Sequence, residues 1–287
     1  MKPDAFSLRI FVADGDPDGL RIVERSNWIG KAVVFPRALL PNVKQRNEFT
    51  QTGVYLLLGP RDDGEGDKLY IGEGDPVRPR LESHYANKGF WSWAVFFVAG
   101  QGQLNKAHVQ FLESRLIRLA KVAKRMPLDN ANQPSEPTLS EADSADMEVF
   151  LKNMLGMLPI LGIDVFEQPQ VEEIAAMLLT CHGKEVEARG VEISQGFLVK
   201  AGSHAVKETV PSMKQHLRGM YDLRQNLIAN GVLVDAGDHY QFSQDYVFSS
   251  PSTAAAVVLG RNANGRTEWK DDSGRTLKSL QELVVTS

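Results

Sequence analysis

The run TGVYLLLGPRDDGEGDKLYIGEGDPVRPRLESHYANK (52–88) decides how this chain is read. TGVYLLL (52–58) and KLYIGE (68–73) are short apolar stretches on either side of the Gly/Asp-rich PRDDGEGD, the pattern of two strands and a connection. Side chains alternate between the faces of a strand, so Tyr55 opposes Val54 and Leu56, and Tyr70 opposes Leu69 and Ile71. If the strands pair as a hairpin, both phenols project from one side. Taken alone they are two ordinary strand tyrosines, and a phenol is a poor base unless a cation lowers its pKa. Asp75-Pro76 opens a helix, with proline tolerated in its first turn. Arg80 and His84 then share a helical face, which suits either a solvated surface or a phosphate, with a forked donor beside a group that can move a proton.

Downstream, FWSWAVFFVAG (90–100) is continuously apolar and reads as a buried third strand, with Phe90, Trp91 and Trp93 used for packing rather than base stacking. NKAHVQFLESRLIRLAKVAKR (105–125) is an amphipathic helix. Its Glu113 lies at the edge of the stripe formed by Val109, Leu116, Ile117 and Ala120. A carboxylate there costs free energy unless it is paired, for instance with Arg80 or Lys106, or holds a metal. Asn130 follows the proline turn RMPLDNAN.

These elements together resemble the GIY-YIG nuclease domain: GVY at 53–55, YIG at 70–72, Arg80 in the first helix, Glu113 in the second and Asn130 at the end. The resemblance covers residues 49–132 and implies a strand–strand–helix–strand–helix module that hydrolyses phosphodiester bonds with one metal ion. It implies that Glu113 ligates Mg²⁺ or Mn²⁺, that Tyr55 is the general base and that Tyr70 positions water or substrate. Arg80 would neutralise charge at phosphorus and Asn130 would hold the site together. His84 stands where relatives often carry a polar or ionisable residue. GVY replaces GIY, and the connection between the tyrosines is long and polar; neither change removes a reacting group.

The rest of the chain is read around that module. Residues 1–48 form a β-rich segment, with strands in SLRIFVA, GLRIVE and GKAVVF split by GDPDG. Residues 133–170 carry one Lys against seven Asp/Glu and read as an acidic linker followed by an apolar-rich helix that starts at Ser140 and ends near Pro159 and must bury its apolar face. Residues 171–287 form an α+β accessory domain: strands around Gln195-Gly196, a helix over 213–230, a hairpin in GVLVDAGDHYQFS, a capped Ala-rich helix at 250–260 and a hairpin turning at Asn264-Gly265. FSSPSTAAAVVLGRNANGRTEWKD (248–271) resembles an uncharacterised domain appended to GIY-YIG proteins and the RAMA module found beside DNA-modifying enzymes. That resemblance implies recognition of nucleic acid or of a partner, although every residue in it has a packing or turn use.

The fold class expected is therefore α+β. The 287 residues carry 43% hydrophobic and 24% charged side chains, a net charge of −4 and one cysteine, Cys181. No apolar run is long enough to span a membrane and no signal peptide is evident, so a cytoplasmic, disulfide-free protein is expected. The expected partner is a nucleic acid, DNA ahead of RNA. The alternatives are a structure-specific RNA nuclease and a non-cleaving binding or scaffold protein that keeps the nuclease fold.

Overall fold

A computed structural model describes residues 5–61, 66–100, 102–131, 134–167 and 177–286. It is a mixed α+β chain of two compact units, residues 1–166 and 167–287. The boundaries expected at 132/133 and 170/171, and the centre of the connection at 60–67, fall on residues outside those described. No helix among the described residues is long and apolar enough to cross a membrane.

The first unit is built on one six-stranded antiparallel sheet. In chain order its elements are β1 (Leu8–Val12), β2 (Arg21–Arg25), β3 (Gly30–Pro36), the short α1 (Leu40–Val43), β4 (Gly53–Pro60), β5 (Asp67–Gly74), α2 (Val77–Asn87), β6 (Trp93–Ala99), α3 (Lys106–Ala123) and α4 (Glu141–Met157). The spatial order is β1-β2-β3-β6-β4-β5. Residues 1–48 are β-rich as expected and add to the same sheet: β3 pairs with β6 along seven residues, Gly30 opposite Ala99 to Pro36 opposite Trp93. Three apolar strands would otherwise leave unpaired edges, and joining the sheet satisfies them.

Both faces of the sheet are covered. Val54, Leu56 and Leu58 of β4 pack with Val109, Leu112, Leu116 and Ile117 of α3. Tyr55 and Leu57 point the other way, against Val77 and Leu81 of α2 and Leu40 of α1. The stretch read as a linker is part of this core too. Ser140 caps α4 by accepting from the Asp143 amide at 3.1 Å, and Phe150, Leu151, Met154 and Met157 are buried against the α3 side. The apolar face expected of that helix is the one it buries. Trp91 is buried and Trp93 packs on the core, as their apolar context predicts.

The second unit has a five-stranded sheet, order β13-β9-β8-β7-β14, and a three-stranded one, order β10-β12-β11. Its strands are β7 (Leu179–His182), β8 (Glu187–Ile193), β9 (Gly196–Val199), β10 (His204–Val206), β11 (Leu233–Asp235), β12 (His239–Phe242), β13 (Tyr246–Phe248) and β14 (Trp269–Lys270). Its helices are α5 (Pro211–His216), α6 (Arg218–Ala229), α7 (Pro251–Leu259), α8 (Gly265–Glu268) and α9 (Leu277–Thr286). Ser250 caps the buried α7, and Trp269 stacks on Phe197 and donates to the Pro251 carbonyl at 3.0 Å. Buried Arg224 of α6 donates to the carbonyls of Val257 and Val206, tying α6 to α7 and β10. Two expectations need correction. The helix over 213–230 breaks at Leu217, whose backbone leaves the helical region. Asn264-Gly265 is not a hairpin turn: the Asn264 side chain accepts from the Arg266 amide and caps α8, after which β14 joins β7.

Candidate active site

The site forms at the β5 edge, where α2 and α3 both contact that strand. β4 and β5 pair with Tyr55 opposite Gly72 and Leu57 opposite Tyr70. This register makes the two phenols diagonal neighbours on one face, with ring centroids 6.3 Å apart. It also explains the glycine of YIG. A Cβ on Gly72 would overlap the ring and hydroxyl of Tyr55, so the phenol lies across the only residue type that leaves room for it.

Tyr55 is fully buried. Its hydroxyl lies 2.8 Å from His84 Nε2, and the charge of the Arg80 guanidinium acts on it from the same helix. Burial and the neighbouring Tyr70 push its pKa far above the ordinary phenol range, against the opposing pull of Arg80, so the free protein holds it as the neutral phenol. His84 is the complementary case. Burial, then the cations Arg80 and Lys88, bring its pKa down to about 4, which leaves a neutral imidazole at neutral pH. Its ring also meets Tyr70, at a centroid distance of 4.8 Å.

Glu113 enters from α3 and is half-buried. Burial first and the charge of Glu73 second raise its pKa to about 7, with Arg80 and Lys106 pulling the other way. Neither expected salt bridge is made. Lys106 instead pairs with Glu73 at 2.5 Å, and the second oxygen of Glu73 is buried without a hydrogen bond. Arg80 and Lys106 therefore act on the Glu113 carboxylate through their charge and not by a direct ion pair. Among the described residues no group of three or more His, Cys, Asp or Glu is placed to hold a metal ion. A cation on Glu113 would take its remaining ligands from water and substrate, as Mg²⁺ commonly does.

Asn130 acts on the backbone. Its Oδ1 accepts from the Ile71 amide at 3.0 Å and its Nδ2 donates to the Ile71 carbonyl at 2.7 Å. With Leu69 bonded to Pro127 and Asp129, this pins residues 127–130 along the outer edge of β5. All six residues expected in the site are thus brought to this region. The sequence reading missed Glu73, Lys88 and Asp129; the first follows YIG directly, and Lys88 lies four residues beyond His84, a spacing that was open to view.

A family model described as a domain of unknown function (DUF4357) matches residues 179–281, from β7 into α9. The match lies within the second unit and contains none of the site residues. No curated protein and no solved structure matches the chain.

Proposed function

We propose that the first unit is a metal-dependent endonuclease of the GIY-YIG type, acting on nucleic acid and on DNA ahead of RNA. The observation that carries this reading is the Tyr55 hydroxyl 2.8 Å from His84 Nε2, in the field of the Arg80 guanidinium, at the strand edge that Glu113 also reaches. Since burial keeps Tyr55 protonated, the base is the pair rather than the phenol alone. Tyr55 passes its proton to the neutral His84 as it takes one from the attacking water. Arg80 offsets charge building on the phosphoryl oxygens. A cation held by Glu113 would supply Lewis-acid stabilisation of the phosphate and the leaving oxygen. The second unit contributes none of these groups, and we assign it target recognition.

The test is incubation of the purified chain with Mg²⁺ or Mn²⁺ and a panel of plasmid, branched, modified and single-stranded DNA and structured RNA. Cleavage that disappears in Glu113→Ala supports the reading, and the preferred substrate separates DNA from RNA. Binding without cleavage under every condition would favour the scaffold alternative.

A further inference from the structure

The cleft beside the site is larger than the proposed chemistry uses. Tyr70, Lys88, Glu113, Asp129, Asn130, Ala131 and Pro134 line about 350 Å³. Lys88 terminates α2, its amide closing the helix on the His84 carbonyl at 2.9 Å. Arg80, His84 and Lys88 therefore follow one another at four-residue spacing toward the cleft. The Lys88 ammonium lies 2.6 Å from Asp129 Oδ2 and 4.4 Å from the centre of the Tyr70 ring.

We propose that Lys88 is a substrate-binding residue that takes a backbone phosphate flanking the scissile one, and that Asp129 is the positioning residue that keeps its ammonium at the cleft wall. This rests on the nuclease reading above. Three features carry it. Asp129 already has a lysine: Lys68 Nζ is 3.2 Å from its other oxygen. Asp129 is thus balanced by Lys68 without Lys88, so the second lysine is not needed to neutralise it. An ammonium has three N–H donors, so bonding to Asp129 leaves others for an incoming anion. Lys88 also lies eight residues past Arg80, on the order of 12 Å along the helix axis, so the two cations are separate contacts on a bound strand. Asp129 itself is tethered by its own amide to the Leu69 carbonyl at 2.8 Å, so the clamp is fixed to β5. An ion pair held there keeps Lys88 from collapsing onto Glu113, while Tyr70 supports it by a cation–π contact.

The experiment uses the full chain as wild type, Lys88→Met, which keeps the aliphatic stem over Tyr70, Lys88→Arg and Asp129→Asn. Affinity for a labelled short DNA duplex and for an RNA hairpin is measured in EDTA across a salt series, and steady-state cleavage is measured with Mg²⁺. Lys88→Met is expected to weaken binding about tenfold and to lower the slope of log affinity against log salt by about one, as loss of one phosphate contact does. KM should rise by a similar factor while kcat falls by no more than about threefold. Lys88→Arg should retain the slope, and Asp129→Asn should raise KM less than Lys88→Met does. An unchanged slope and KM in Lys88→Met, in a protein that does cut, would overturn the assignment and leave the nuclease reading standing. A loss of melting temperature in both Lys88→Met and Lys88→Arg that parallels the loss of binding would make Lys88 structural and overturn it also. Absence of any binding or cleavage by wild type would remove both.

Discussion

Replacing Glu113 with Gln should make the metal-free protein more stable at neutral and alkaline pH while abolishing cleavage. Burial and Glu73 raise the Glu113 carboxyl from 4.5 to about 7. A raised carboxyl pKa means that the folded state resists ionisation, so stability is highest below about pH 4.5. It declines as pH rises from there to about 7 and is level above that. For a fully buried group the shift would correspond to about 3 kcal/mol. Glu113 is half-buried and water screens part of that, which leaves about 1–3 kcal/mol. At about 2–4 °C per kcal/mol for a unit of this size, the melting temperature of Glu113→Gln should exceed wild type by roughly 2–12 °C at pH 8. The difference should be small near pH 5. Tryptophan fluorescence in EDTA suits the measurement, because Trp28, Trp91 and Trp93 all lie in the first unit. Mg²⁺ should then raise the wild-type melting temperature at pH 8, in proportion to the logarithm of its concentration over Kd, and leave Glu113→Gln unmoved. Parallel melting curves for the two proteins from pH 5 to 8 would refute the burial argument. Equal stabilisation of both by Mg²⁺ would refute the ligand assignment.

Tyr55→Phe should lower kcat by about 10²–10⁴, and Tyr70→Phe by clearly less, since it is the Tyr55 hydroxyl that bonds His84 Nε2; equal mild defects in single-turnover cleavage would show that neither phenol moves the proton. Gly72→Ala should cost about 1–3 kcal/mol by denaturant unfolding, because its methyl has no space beside the Tyr55 phenol, and an unchanged midpoint would mean that the phenol does not lie there. A fragment ending at residue 166 should be folded by circular dichroism and keep slow metal-dependent cutting, whereas one ending at 132 should fail to fold, since it lacks Phe150, Leu151, Met154 and Met157 of the shared core. A cooperative thermal transition in the shorter fragment would disprove that dependence.

Local chemistry made much of the fold and site readable in advance. Strand alternation placed Tyr55 and Tyr70 on a common face, and antiparallel pairing then made them neighbours. Helical spacing placed Arg80 and His84 together, Ser140 announced the start of α4, and Ser250 that of α7. These follow from periods of two and 3.6 and from capping, which depend on residues close in sequence. Other features depended on which distant element came to lie alongside. Residues 1–48 are strands by composition, yet their place beside β6 comes only from sheet pairing. The helix of 133–170 is apolar enough by sequence to need burial, but only the tertiary structure shows that the surface it covers is the core of the first unit. Lys106 chose Glu73 over Glu113, and Asn130 spent its amide on the Ile71 backbone. The sequence by itself determined the elements and the types of chemical group available. The tertiary structure alone decided their charge states and partners, because burial and the field of groups distant in sequence set both, as the depressed pKa of His84 and the raised one of Glu113 show.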